Sequence, residues 1–469
     1  VQPRTGFTDL KTIAVSRLLL DNFAHIKAYW IMLGAKMAQI ALHFGADDLD
    51  GTVMEERIGH MAGAQSAEAL TPDELQGLIR AAGRQPVERD TFFRPVAETG
   101  RTRGESTGSF VMDDVLDSIL EKAWEGERLT REEGLLLWEN VDFYTLAALA
   151  NNCRVRLHPE PVVTYVSDRN INYTNICLSG CRFCAFYRPP EAEGGYVLSH
   201  QELAAKIEET LALGGTQILL QGGLHPGLRL SYYEEMLQFI KDRFPIHIHG
   251  LSPPEIIHLA RTEGLGLEAV LKRLQQSGLD SIPGGGAEIL ADEIRSEISP
   301  NKCSSAEWLE VMECAHSLGM KTTATMMFGH IETVGHRLEH LLKLRELQDR
   351  TGGFTAFIPW TFQPDNTALK TKPATAMDYL RTLAMSRLVL DNIQNLQVSW
   401  VTMGAGVAQV ALQFGANDFG STMIEENVVA AAGVRHRLSV EEIRRIITDA
   451  GYEARQRNMS YEFIEEHRA

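Results

Sequence analysis

A chain of 469 residues, 44% of them hydrophobic, has the length for two or three domains and the apolar content for a large core. Its formal charge of −17 disfavours a general nucleic-acid binder. No apolar run approaches the ~18 residues of a membrane span and no secretory leader is evident, so neither membrane insertion nor export is expected. Six cysteines, three of them clustered, fit a reducing, cytoplasmic setting.

Taken in order, the chain opens on a segment that it later repeats. TIAVSRLLLDN and GAKMAQIALHFGADDLDGTVMEE, from Thr12, return as TLAMSRLVLDN and GAGVAQVALQFGANDFGSTMIEE from Thr382, and the match runs on to Arg89 against Arg457. One copy at each end reads as duplicated or fused genes, because solenoids repeat every few tens of residues. Within this segment, residues 1–94, positions 12–64 then hold only the last two strand–helix units of the fold that the second copy completes. Two such units leave strand edges open, so the segment must borrow a surface, pair with another chain or remain poorly ordered. No cysteine precedes Cys153, which argues against a catalytic unit here.

Residues 95–112, rich in Gly, Ser, Thr and charge, read as a flexible linker. A helical lead-in is expected over 113–165: an amphipathic stretch at 113–124, a capping box at Thr130–Glu133, and a helix opened by Asp142. Short apolar strands are predicted at 171–174, 217–220, 246–251, 279–282, 321–327, 354–360, 397–403 and near 416–418. Helices fall between them, one capped by Ser199 and Glu202. This alternation over 166–434 predicts an α/β fold, a parallel (βα)8 barrel of the TIM type. The charged helix 439–450 and the rest of 435–469 are expected to pack outside it.

Parallel barrels carry their chemistry at the C-terminal ends of the strands. After the first predicted strand comes Cys177-Leu-Ser-Gly-Cys181-Arg-Phe-Cys184. Three thiols at this spacing can ligate three corners of a 4Fe–4S cluster and leave the fourth iron open to a chelating cosubstrate. The alternatives are buried spectators or a zinc knot, but zinc would want a fourth Cys or His at matching spacing, and none is evident. Gly222 and Gly223, after the second strand, are a turn or a close backbone approach to a ligand. Glu288 and Glu332 fit a ribose or ammonium partner, or simply a helix N-terminus. His225, on the loop after the second strand, is a candidate base, with His247, His249 and His330 behind it. Trp360 and Phe362 offer flat apolar surface to an aromatic substrate, or cap the barrel mouth.

CxxxCxFC, with Phe183 before the last cysteine, resembles the signature of the radical S-adenosylmethionine enzymes. The resemblance implies that Cys177, Cys181 and Cys184 hold a 4Fe–4S cluster whose open iron chelates S-adenosylmethionine, which is cleaved to a 5′-deoxyadenosyl radical. It further implies that Phe183, Tyr187, Gly222, Gly223, Ser252, Glu288, Gly329 and Glu332 surround the cofactor. Gly329 and Glu332 match only part of the adenine-supporting GxIxGxxE element, because Thr325 stands at its first glycine.

The stretches INYTNICLSGCRFCAFYR, QGGLHP, SPPEI, LDSIPGGGAEIL, TTATMMFGHIET and TGGFTAFIPWTFQP make residues 110–469 resemble the dehypoxanthine futalosine cyclase family of menaquinone biosynthesis. Residues 3–93 resemble the C-terminal end of its sister family, the aminofutalosine synthases. The implied activity is ring closure of dehypoxanthine futalosine, with hydrogen abstraction at the ribose 4′ carbon. His225 or Glu288 would take the final proton, and a flavodoxin or ferredoxin would supply electrons. The alternatives are an aminofutalosine synthase, a deazaflavin-cofactor synthase subunit, or an iron–sulfur electron carrier that never cleaves S-adenosylmethionine.

Overall fold

The computed structural model describes residues 5–53, 69–96, 110–434 and 436–464; most of the predicted linker lies outside them. Among the described residues ten strands are formed: β1 Val162–Val166, β2 Asp168–Asn172, β3 Gln217–Gln221, β4 His247–Gly250, β5 Ser281–Ile282, β6 Lys321–Phe328, β7 Phe354–Thr361, β8 Asn395–Leu396, β9 Asp418–Ser421 and β10 Glu453–Gln456. β2 to β8 pair in sequence order, all parallel. Backbone hydrogen bonds then close the ring. Asn417 N donates to Leu396 O and Val398 N to Asp418 O, joining β8 to β9; Thr422 N donates to Val166 O and Ile424 N to Asp168 O, joining β9 to the first strand. The predicted eight-unit parallel barrel is therefore present, with β1 and β2 serving as one strand bent at Ser167.

The helices between strands cover the barrel because each presents an apolar face to it. His200–Ala212 starts at a capping box in which Ser199 accepts from Glu202 N, and it buries Leu203 and Ile207. Between the strands and this helical layer, Ile171, Ile218, Ile248, Ala324 and Phe357 are wholly buried, while their alternates Asn170, Leu219, His249, Thr325 and Ile358 line the barrel interior.

Three boundaries differ from expectation. β1 begins at Val162, within the predicted helical lead-in, whose helices are Phe110–Glu125, Arg131–Asn140 and Phe143–Leu157. The strand expected over 397–403 is short: a single parallel bridge at Gln397 follows β8, and Trp400–Met403 is helical. A short apolar run carries no strong period to separate strand from helix, and here helix won. The tail does not stay outside. Helix Val440–Asp449 packs externally through Ile443, Ile446 and Ile447, but β10 pairs with β1, and Arg457, Met459 and Tyr461 reach the barrel interior.

The N-terminal segment folds as its sequence repeat does. Arg17 Nε donates to Gly45 O at 2.8 Å, as Arg387 Nε does to Gly415 O at 2.8 Å. Trp30 Nε1 donates to Gly51 O at 2.9 Å, as Trp400 Nε1 does to Ser421 O at 2.9 Å. The Arg89–Asp48 ion pair matches Arg457–Asp418. What differs is the surroundings. Leu18, Phe23 and Met32 are 79%, 57% and 66% exposed, while their counterparts Leu388, Ile393 and Thr402 are 6%, 1% and 2% exposed beneath the rest of the barrel. A cavity of about 980 Å³ is lined only by residues between Arg17 and Arg89. Among the described residues no helix is long and apolar enough to cross a membrane.

Candidate active site

The loop leaving β2 carries the three cysteines, and it is stapled to the loop leaving β3. Gly223 N donates to Thr174 O at 3.1 Å and Leu178 N to Leu224 O at 3.0 Å. A Cβ on Gly223 would lie 2.2 Å from Ile176 O, and one on Gly222 would lie 2.3 Å from the Tyr173 ring. These glycines therefore let the two loops meet. A side chain at either position would strike the cysteine loop, so glycine is needed for the loops to meet, and the backbone of both still borders the cysteine cavity.

The stapling aims donors at sulfur. Leu224 N donates to Cys177 Sγ at 3.2 Å and Ser179 N at 3.4 Å, and Ser179 Oγ lies 3.1 Å from Cys181 Sγ. Such donors stabilise thiolate, the form that binds iron. Burial works the other way, pushing Cys181 up to about 11 and Cys184 upward too. Iron must therefore displace protons on loading. All three cysteines line one cavity of about 220 Å³. Among the described residues no three His, Cys, Asp or Glu side chains converge on a single metal ion. A cubane has separate irons at its corners and asks only that three thiols face one space with donors to their sulfurs, so this site fits a cluster.

The same cavity is lined by Phe183, Tyr187, Gly222, Gly223, Ser252 and Glu288. Its floor is set by Glu255, which is wholly buried. Glu255 Oε2 accepts from Ser252 N at 2.7 Å and Ser252 Oγ at 2.5 Å; Oε1 accepts from Tyr173 OH at 2.5 Å and Gly222 N at 3.0 Å. One carboxyl thus ties together the loops after β2, β3 and β4. Burial pushes its pKa up, and these four donors pull it back.

Glu288 sits at φ 43°, a backbone region that non-glycine residues seldom adopt and that clusters at functional sites. Its Oε1 accepts from Lys302 Nζ at 2.5 Å, and the ammonium lies 5.0 Å from the centre of the Phe183 ring. Burial opposes charge on Lys302, but Cys181 and Glu288 beside it hold it above the ordinary lysine range. Lys302 was not singled out from the sequence, nor were the sulfur donors Ser179 and Leu224. The signal available for Lys302 was indirect: a buried glutamate needs a cation.

Other expected residues lie elsewhere. His225 lines neither this cavity nor the barrel interior; past Pro226 the chain turns so that its Nδ1 accepts from Gly227 N at 3.0 Å. Gly329 and Glu332 are also outside both linings. Glu332 is spent on its own turn, accepting from Gly329 N at 2.7 Å, His330 N at 2.9 Å and Arg337 Nε at 2.8 Å. His330 is buried against it. Phe362 is 1% exposed and belongs to the core.

A second cavity, of about 270 Å³, occupies the barrel interior and shares Gln221, Gly285, Trp360 and Val428 with the first. His249 lines it, held between Ser281 Oγ at 2.7 Å and Thr323 Oγ1 at 3.2 Å. Glu426 lines it too, accepting from Val428, Val429 and Ala430 N–H, with its pKa raised by burial. The two cavities adjoin: cysteines line one, a chamber of mixed polar and apolar lining is the other, and Trp360 borders both.

Two family models match the sequence: the CofH/MqnC C-terminal region over residues 3–99 and 351–469, and the radical SAM superfamily over residues 171–344. The chain is 49% identical over 351 residues to the cyclic dehypoxanthine futalosine synthase of Halalkalibacterium halodurans, an alignment covering 74% of this chain and 95% of that one. It is 41% identical over 349 residues to the aminodeoxyfutalosine synthase of Thermus thermophilus, covering 73% and 94%. Among solved structures, the FeFe-hydrogenase maturase HydG from Carboxydothermus hydrogenoformans superposes with a TM-score of 0.60 at 18% identity, over 74% of this chain and 81% of that one.

Proposed function

The chain belongs to the radical SAM superfamily, and from that premise we propose that it closes the ring of dehypoxanthine futalosine in the futalosine route to menaquinone. The observation that carries this reading is the cavity of three donor-surrounded cysteines set directly beside the barrel chamber. It agrees with the name of the relatives that are 49% and 44% identical.

Cys177, Cys181 and Cys184 would hold the 4Fe–4S cluster, and Phe183, Tyr187, Gly222, Gly223 and Ser252 would receive S-adenosylmethionine. When bound, these groups supply hydrogen-atom abstraction from the ribose 4′ carbon of the substrate. The substrate radical would then form one carbon–carbon bond to its benzoate ring and lose a proton to a protein base and an electron to the oxidised form of the electron donor. The protein's part is positioning and exclusion. Glu255 fixes the Gly222 loop, Lys302 and Glu288 neutralise each other beside Phe183, and Trp360 sets how far substrate can approach. Of the two proton acceptors expected from sequence, Glu288 lines the cavity and is the one we retain. A flavodoxin or ferredoxin is the proposed electron donor.

The test is anaerobic. Reconstituted protein, S-adenosylmethionine, reductant and dehypoxanthine futalosine should yield deoxyadenosine and a substrate-derived product two hydrogens lighter. Deoxyadenosine without that product would reject the substrate and direct attention to the enolpyruvyl benzoate used by aminofutalosine synthases. No deoxyadenosine at all would favour an electron carrier.

A further inference from the structure

The N-terminal segment meets the barrel through a contact that is almost its own mirror. Phe7 N donates to Gln409 Oε1 at 2.7 Å, and Met377 N donates to Gln39 Oε1 at 3.4 Å. Phe7 and Met377 occupy equivalent places in the two copies of the repeat, as do Gln39 and Gln409. Helix Gly6–Leu19 packs on Ala405–Ala411 while its counterpart Ala376–Val389 packs on Ala35–Ala41, and these last partners touch each other as well. A contacting b′ while a′ contacts b is the mark of a two-fold, self-complementary interface.

Within this near-symmetry a few positions have diverged. A Cβ on Gly6 would lie 2.9 Å from Gly406 Cα, so the first copy carries glycine where the second has Ala376. Where the second copy has Gly406, the first has Lys36, whose Nζ donates to Thr402 O at 2.8 Å.

We infer that residues 5–96 stand in for a second subunit, and that the barrel face formed by helices Ala376–Val389 and Ala405–Ala411 is a two-fold association surface whose other occupant is a second copy of this barrel. The tethered segment holds that face in the full chain. Without it, two barrels would pair through the same helices, less closely, because each would bring Ala376 against the other's Gly406.

Residues 110–469 are a fair test object. The barrel closes with no strand from the segment, and the 351 residues aligned to the Halalkalibacterium halodurans relative are 95% of that whole protein. The measurement is molar mass by light scattering across a concentration series. The full chain should stay at the mass of one chain, while residues 110–469 should rise toward twice their own mass, at lower concentration when Ala376→Gly is added. Gly406→Phe should abolish that rise. The three atoms nearest a Cβ placed there all belong to Met37 and Gly6 of the segment, so the substitution is aimed at the contact face. In the full chain, Gly6→Leu should expel the segment and allow pairing. No doubling in either form, or a doubling indifferent to Gly406→Phe, overturns the proposal.

Discussion

Glutamine at position 255 asks whether one carboxyl holds the cofactor loops together. Glu255→Gln keeps the shape and one of the two acceptor oxygens. If the amide oxygen faces Tyr173 OH and Gly222 N, its NH2 faces Ser252 N and Oγ; the flipped amide reverses the assignment. Either way the hydroxyl can rotate and accept, but a backbone N–H cannot. One buried N–H is left against another donor, at about 1–3 kcal/mol. For a barrel of this size, which loses roughly 0.7 kcal/mol per degree near its midpoint, that is about 1–4 °C. Anaerobic thermal melts should show this drop, and titration with S-adenosylmethionine should show weaker binding if Gly222 is the group released. A Glu255→Gln protein that melts and binds like the parent would refute the reasoning, since it would mean the carboxyl is already neutral and its donors already turned away.

Lys302→Met should cost about 3–5 kcal/mol in denaturant titrations by stranding Glu288, and adding Glu288→Gln should recover much of it. Trp360→Ala should let deoxyadenosine form while lowering cyclised product by ~100-fold, because the reacting carbon is no longer held; equal losses of both would place Trp360 in cofactor binding instead. Burial pushes Lys36 down from 10.5 to about 8, so between those values the released segment holds a proton that the docked one has given up. Docking should therefore strengthen as pH rises from about 8 to 10.5, by roughly 3 kcal/mol at most, and carry its full penalty below 8. Protease release of the segment at several pH values reads this, and Lys36→Met should flatten the profile.

Local pattern carried most of what could be read from sequence. The cysteine spacing and the β–loop–α alternation are short-range features, and they located the barrel and the end of it that matters. Long-range pairing was less legible. Lys302 follows helix Asp292–Ile298, and nothing nearby says that its loop folds back on Glu288. Glu332 looked like a ligand because it follows a strand end, yet Arg337, five residues on, claims it. β1 was missed because Ser167 bends the first strand and the motif drew attention to its second half. The tail was placed outside because β10 is short and charged, and only its register with β1 brings Arg457 inward.

Because one sequence pattern sits in two settings, the molecule also records the order in which it should come apart. The bonds from Arg17 and Trp30 belong to the unit itself, so they hold without a barrel around them. The burial of Leu388 and Ile393 comes from closure, and Leu18 and Phe23 lack it. Amide exchange should then reveal two cooperative units rather than one, with the first copy opening at far lower free energy than the second. A calorimetric trace should resolve an early, small transition from the segment ahead of the barrel's own. The copy with the less buried surroundings would thus be the molecule's weakest foldon.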